Sequence, residues 1–240
     1  MKYALVTGST KGIGEQIAID LLKKGYFVIF NYSNDDSLIQ QLKKELEIIS
    51  PAYKIIKHDL SKINQIGEFI NTVKTLTSEL DVLVLNAGTT NRKDFYELTI
   101  EDWLKVINTN LSSPFFIVQG LGQQIKQNGN IIFIGSLLGI KPPAISIPYG
   151  ISKAGLHMLS KNLVKIFNNR NITVNTVAPG FVETSWQKNK PKKIKENIIN
   201  KIALHRFAYE SEISSICLHL IDNRYINGQV LIVDGGYAYK

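Results

Sequence analysis

Apolar residues along this chain follow two periods. Short runs rich in β-branched and aromatic side chains fall at 3–6, 27–30, 53–57, 82–85, 130–134, 173–177 and 229–233, and these predict strands. The run at 82–85 is apolar throughout, as suits a strand covered on both faces. Longer segments with helical spacing lie between them. Ile13, Ile17, Leu21 and Leu22 predict a helix over 13–24. Leu38, Leu42, Leu46 and Ile49 predict another over 37–49, with Ser37 as its N-cap. Further helices are expected over 63–77, 100–127 and 149–168. Alternating strands and helices imply right-handed βαβ units, and hence an α/β fold. The expected core is a doubly wound parallel sheet of about seven strands with helices on both faces. No linker or repeat divides residues 1–240, so one domain is expected. The least regular stretch, 181–207, lies between the last two strands and reads as a lid over a ligand.

Composition narrows the function. With 44% hydrophobic and 20% charged residues the chain suits a globular protein. No apolar run approaches the ~18 residues that span a bilayer, so no membrane role is expected. The first residues, Met1-Lys2-Tyr3-Ala4-Leu5-Val6, hold no long apolar segment and no small-residue cleavage site. A cytoplasmic location is the natural expectation. Cys217 is the only cysteine, which excludes an intrachain disulfide and a cysteine metal cluster. His58, His157, His205 and His219 show no metal-ligand spacing and are assigned to packing or surface. No metal is expected. The net charge of +8 raises the question of nucleic acid. Its lysines are scattered, however, and the densest group, Lys188, Lys190, Lys192, Lys193 and Lys195, is short and isolated. No nucleic-acid partner is expected.

Chemistry concentrates in a few places. Gly8-Ser9-Thr10-Lys11-Gly12-Ile13-Gly14 joins the first strand to the first helix. Glycines there allow a tight turn and a close approach of backbone to a pyrophosphate, which the free N–H groups of the helix start can bind. This makes the expected sheet Rossmann-like. No Gly-Lys-Ser/Thr follows, so the loop is not a Walker loop. Tyr149 and Lys153 are four apart on one helix and share a face. An unperturbed tyrosine has a pKa of ~10. An ammonium at about 4 Å and an effective dielectric of ~20 would favour tyrosinate by about 4 kcal/mol, enough to bring the tyrosine near neutrality. Ser136 follows an apolar run, so it should stand at a strand's C-terminal end, where open α/β sheets bind ligands. It has no nucleophile-elbow motif. Asn110 lies in a predicted helix, which asparagine does not favour.

In their order and spacing these motifs resemble the short-chain dehydrogenase/reductase family over nearly the whole chain. Thr7-Gly8-Ser9-Thr10-Lys11-Gly12-Ile13-Gly14 is similar to the family's cofactor loop. Asp59-Leu60 stands where the family contacts adenine, and Asn86-Ala87-Gly88 matches its Asn-Ala-Gly. Pro179-Gly180, Val182 and Thr184 match the element flanking the nicotinamide, and Asp234-Gly235-Gly236 the usual end. The resemblance implies a catalytic set of Asn110, Ser136, Tyr149 and Lys153. In it Tyr149 is the acid, Ser136 binds the substrate oxygen, Lys153 also holds the ribose, and Asn110 holds a water in a proton relay.

NAD-preferring members carry an acid at the end of the second strand. Here that stretch is Asn31-Tyr32-Ser33-Asn34, and Lys11 precedes the second motif glycine, so NADP(H) is expected. Asp35 and Asp36 follow closely, and either could turn back to the ribose. Within the family the chain is most similar to bacterial 3-oxoacyl-acyl-carrier-protein reductases of fatty-acid synthesis. The resemblance implies a homotetramer built through two long helices and the last strand. It also implies that Arg170, with Lys126 nearby, docks the carrier. Residues 89–94, Gln127 and the bulky Trp186 depart from that pattern. Reduction of a free small ketone, sugar or steroid stays open beside it, as does a non-catalytic protein that binds NADP or nucleic acid.

Overall fold

The computed structural model describes residues 1–34, 36–142, 146–188 and 190–240. The strands are β1 (Lys2–Val6), β2 (Tyr26–Tyr32), β3 (Tyr53–Lys57), β4 (Leu80–Leu85), β5 (Ile125–Ile134), β6 (Thr173–Pro179) and β7 (Val230–Val233). They form one parallel sheet in the order β3-β2-β1-β4-β5-β6-β7, the Rossmann-like arrangement expected. The helices are α1 (Gly12–Lys23), α2 (Asp36–Ile49), α3 (Ile66–Leu76), α4 (Ile100–Ile107), α5 (Ser113–Leu121), α6 (Ile147–Phe167), α7 (Ser185–Lys188), α8 (Lys192–Asn200) and α9 (Glu210–Asp222).

The two-residue period of the strands divides their side chains between two cores. Ala4, Val6, Val28, Phe30, Val84 and Ile132 pack against α1, α2 and α9. Leu5, Ile29, Leu83, Leu85, Ile131 and Phe133 pack against α3, α5 and α6. Helices therefore cover both faces, which is why these strands read as continuous apolar runs. The strand order reverses about β1 and β4, and this leaves a crevice at their C-terminal ends.

Apart from α9, a helix not among the predicted elements, the structure departs from them in three places. The single helix expected over 100–127 is two helices joined by a π-helical turn at Asn108–Ser112. Thr99 and Asp102 form a capping box that starts α4. Helical structure ends at a 3-10 turn, Gly122–Gln124, where the Arg170 guanidinium donates to the Gly122 carbonyl (2.7 Å) and the Gln123 carbonyl (3.2 Å). Secondly, β5 starts at Ile125 rather than 130, because its pairing with β4 jumps from Leu80–Ile125 to Val82–Asn130 across a bulge. Thirdly, 181–207 is not irregular: it contains α7 and α8. Phe181 anchors this segment by stacking on Phe207 at 5.8 Å and packing edge-on against Tyr237 at 5.2 Å.

Candidate active site

A cleft of about 650 Å³ opens at the C-terminal ends of the strands. One part is built by the turn from β1 into α1. Thr7 Oγ1 accepts from the Asn86 and Ala87 amides, both at 3.0 Å, and so ties this turn to the end of β4. Gly8 has φ +60, a conformation that favours glycine. A Cβ on Gly14 would lie 2.2 Å from Asn86 Nδ2 and 2.4 Å from the Gly8 carbonyl oxygen. That Asn86 amide donates to the carbonyls of Thr7 (3.0 Å) and Gly8 (2.8 Å).

Several expected cofactor contacts turn out to brace this loop. Ser9 is fully buried; its hydroxyl donates to the Val6 carbonyl (2.8 Å) and accepts from the Asn31 amide (3.0 Å). The Asn31 side chain accepts from Gly8 N–H at 3.2 Å and donates to the His58 carbonyl at 3.1 Å. Ser9 and Gly14 thus lie behind the loop, and Asn31 reaches the cleft only with its amide already engaged. Thr10, Lys11, Gly12 and Ile13 face the cleft at the start of α1. Tyr32 and Ser33 border it from β2, and Asp59 and Leu60 from beyond β3. Ala87, Gly88, Pro179, Gly180, Val182 and Thr184 complete this part. A Cβ on Gly12 would stand 3.5 Å from the Thr184 methyl, so the 181–207 segment reaches over the glycine loop. Asp36, one of two acids that could have turned back to a ribose, does not line the cleft. Its carboxylate takes the Tyr32 hydroxyl (2.9 Å) and the Lys57 ammonium (2.5 Å), and Lys57 holds it below the usual carboxylate range. Asp35, the other acid considered, lies outside the described residues.

Three of the four expected catalytic side chains, those of Ser136, Tyr149 and Lys153, meet in the same cleft. Ser136 follows β5, and its Oγ accepts from Leu138 N–H at 3.1 Å. Tyr149 and Lys153 project from α6, which has Pro148 in its first turn, a favoured position. Lys153 is buried and donates to the Ile134 carbonyl at 2.6 Å. Its Nζ is 5.6 Å from the Tyr149 ring centre. Burial outweighs the lowering of the Tyr149 pKa expected from this lysine. Burial pushes the phenol up, and a hydrogen bond with the Ser136 side chain opposes that only in part. The ammonium, bonded to the Ile134 carbonyl, does not offset this desolvation. Burial instead pulls Lys153 down to about 8.

The Lys153 shift has a checkable consequence. Between about 8 and the usual 10.5 the unfolded chain holds this proton and the folded chain does not. The lysine's contribution to stability therefore rises with pH across that window. An NMR titration of the labelled Lys153 side chain in the cofactor-free protein should give a midpoint near 8; a midpoint above 10 would contradict the burial described here.

Asn110 sits inside the π-helical turn and is fully buried. Such turns recur at functional sites. Its Oδ1 accepts from Thr89 N–H at 2.8 Å, and its Nδ2 donates to the Thr89 carbonyl and to Ser152 Oγ, both at 2.9 Å. Both donors are engaged, while Oδ1 keeps one accepting position. Oδ1 and Lys153 Nζ border Gly88 equally, each 3.6 Å from where its Cβ would be.

Comparison with known proteins matches residues 2–195 to the family model for short chain dehydrogenases. The chain belongs to the short-chain dehydrogenase family. It is an oxidoreductase acting on CH–OH or C=O groups. The 3-oxoacyl-acyl-carrier-protein reductase of Aquifex aeolicus is 35% identical over 243 residues, covering 98% of this chain and 96% of that protein. The reductase of the same name from Thermotoga maritima is 34% identical, covering 98% and 97%. Among solved structures, a short chain dehydrogenase from Burkholderia cenocepacia in complex with NADP superposes with a TM-score of 0.91 at 26% identity, covering 99% and 98%.

Three residues give this short-chain dehydrogenase a character that its motifs do not show. Trp186, from α7, packs edge-on against the Tyr149 ring at 5.9 Å and so narrows the approach to it. Arg92 and Lys105 bring positive charge to the cleft rim. Arg170 and Lys126, expected to dock a carrier, are held elsewhere: Arg170 by the two carbonyls after α5, Lys126 by Glu79 at 3.0 Å. Trp186 was visible in the sequence as an oddity. Arg92 and Lys105 carried no spacing signal and are recognisable only in three dimensions.

Proposed function

We propose that this chain is an NADPH-dependent carbonyl reductase that converts a 3-oxoacyl group on acyl carrier protein to the 3-hydroxyacyl form, in fatty-acid synthesis. The observation that carries the reaction type is the meeting of Ser136, Tyr149 and buried Lys153 in the cleft that the glycine loop also lines. The cleft fits a dinucleotide: Gly8 and Gly14 sit where a side chain would block the loop, and the start of α1 offers N–H groups to a pyrophosphate. Gly8, Thr10, Lys11, Gly12 and Ile13 would hold the phosphates, Asp59 and Leu60 the adenine, and Val182 and Thr184 the nicotinamide. Bound NADPH supplies the hydride. Ser136 donates a hydrogen bond to the substrate carbonyl and steadies charge developing on its oxygen. Tyr149, which burial keeps protonated, gives that oxygen its proton, so the C=O becomes CH–OH. Lys153 would hold the ribose and pass a proton to the phenolate, regaining it from solvent water held at the open accepting position on Asn110 Oδ1.

NADP(H) is favoured because no described acid at the end of β2 faces the cleft and Lys11 borders it. Lys11→Ala should weaken NADPH roughly 10- to 150-fold, the scale of one charge-assisted hydrogen bond, and leave NADH nearly unchanged. Equal losses, or a wild-type preference for NADH, would remove the NADP assignment.

The carrier-bound substrate is supported by the names of the two reductases above and by cations at the cleft rim. Because Arg170 and Lys126 have internal partners, Arg92 and Lys105 are the better docking cations. Arg92→Glu should cut kcat/KM for the carrier-bound substrate at low salt and spare a free, truncated thioester, with the difference fading as ionic strength passes ~0.15 M. Equal effects on both substrates would shift the reading to a free small ketone, which the bulk of Trp186 beside Tyr149 also favours. Homotetramer formation belongs to the same proposal. It is supported by exposed Trp103, Leu104, Phe115, Phe116, Met158 and Ile232 on α4, α5, α6 and β7. No described helix is long and apolar enough to cross a membrane, and a cytoplasmic, single-domain enzyme with a lid at 181–207 is the form proposed.

A further inference from the structure

His157 stands one helical turn beyond Lys153 on α6 and is 6% exposed. Ser136 N–H donates to its Nε2 at 3.3 Å. The ladder between β5 and β6 has just ended there: Gly135 N–H, bonded to the Val177 carbonyl at 2.7 Å, is the preceding amide. Without His157 the buried Ser136 N–H would have no acceptor among the described residues, a costly condition. The ring is wedged against the serine turn. A Cβ on Gly135 would lie 2.3 Å from Nε2, and one on Gly139 would lie 2.8 Å from Cε1. Its own backbone is fixed as well. The His157 carbonyl accepts from Ser160 Oγ at 2.9 Å, and that oxygen accepts from Thr176 Oγ1 of β6 at 2.8 Å. Burial, with the nearby charges of Lys153 and Lys161, pushes His157 down to about 4, so the ring stays neutral and keeps a lone pair on one nitrogen.

We propose that His157 is a positioning residue for Ser136: by accepting the Ser136 N–H it holds the extended backbone that aims the serine hydroxyl at Tyr149. The helix that carries the proton donor thus also sets the strand-end group that binds the same substrate oxygen, through Tyr149, Lys153 and His157 at successive turns of one face. The turnover part of the test rests on the reductase reading; the amide part does not.

His157→Leu removes the acceptor and keeps bulk, whereas His157→Gln places an amide oxygen about where Nε2 lies. The leucine variant should lose about 10- to 100-fold in kcat, with KM for the ketone and cofactor affinity within about twofold, and the glutamine variant should recover most of the loss. In a Ser136→Ala background His157→Leu should cost nothing further, because its effect runs through the serine. In the cofactor-free protein, NMR should show the Ser136 amide exchanging at least about tenfold faster in the leucine variant than in the wild type or the glutamine variant. Should the leucine variant not fold, His157→Asn, whose amide falls short of Ser136, replaces it. Unchanged Ser136 exchange, or kcat losses that add in the Ser136→Ala background, would overturn the proposal. A wild type that turns over no ketone would overturn the reductase reading, and the exchange rates would still decide the role of His157.

Discussion

Tyr149→Phe should lower turnover by about 10²–10⁴-fold, the usual contribution of a positioned acid. The substitution keeps the ring that packs edge-on against Trp186 and deletes only the hydroxyl. Cofactor affinity should change little, because the glycine loop and the β3, β4 and β6 ends form the rest of the cleft. Stability should change by no more than the ~0.5–1.5 kcal/mol of one hydrogen bond, here that with Ser136. Steady-state kinetics beside a fluorescence titration of the cofactor separates these effects. Near-wild-type turnover would remove Tyr149 as the proton donor.

Gly14→Ala should cause a large structural loss, because Gly14 is packed behind the glycine loop with no room for a methyl. The new Cβ would sit 2.2 Å from Asn86 Nδ2 and 2.4 Å from the Gly8 carbonyl oxygen, and the second of these is backbone that cannot swing aside. Relief requires α1 to shift or Asn86 to release its bonds to the Thr7 and Gly8 carbonyls. Overpacking costs ~1–3 kcal/mol and each lost hydrogen bond ~1 kcal/mol. For a chain of this size that corresponds to a fall of about 5–12 °C in Tm. Cofactor affinity should fall at least about tenfold, since the same loop faces the pyrophosphate. A variant with wild-type Tm and affinity would show that the loop is looser than described.

Much of this architecture was legible in the sequence because both faces of the sheet are covered. Continuous apolar strands alternating with amphipathic helices leave little choice of fold, and the glycine loop marks where the dinucleotide end begins. Boundaries failed where local patterns ran on without a break. Leu111, Ile117, Val118 and Leu121 continue the helical spacing of α4, so the π-helical turn at Asn108–Ser112 and the stop imposed by Arg170 were invisible. The roles of loop residues were only partly readable. Ser9 and Asn31 were expected at the cofactor, yet their side chains hold β1 to β2, a choice decided by partners more than twenty residues away. Electrostatics read from spacing alone also failed. Placing Tyr149 and Lys153 four apart suggests mutual attraction, but burial governs both groups, and only three dimensions show that Lys153 is bonded to Ile134. His157 gave no signal beyond being a lone histidine, because its partner, the Ser136 amide, is a backbone group 21 residues earlier in the chain.

The central claim is that this cleft reduces a carbonyl with hydride from NADPH. It is tested most directly by incubating the purified protein with an acetoacetyl thioester and NADPH while following both cofactor absorbance and product. One mole of NADPH oxidised per mole of 3-hydroxybutyryl thioester formed, lost in Tyr149→Phe, is the predicted result. NADPH left intact across acetoacetyl thioesters and free ketones, or product formed equally well by Tyr149→Phe, would contradict it.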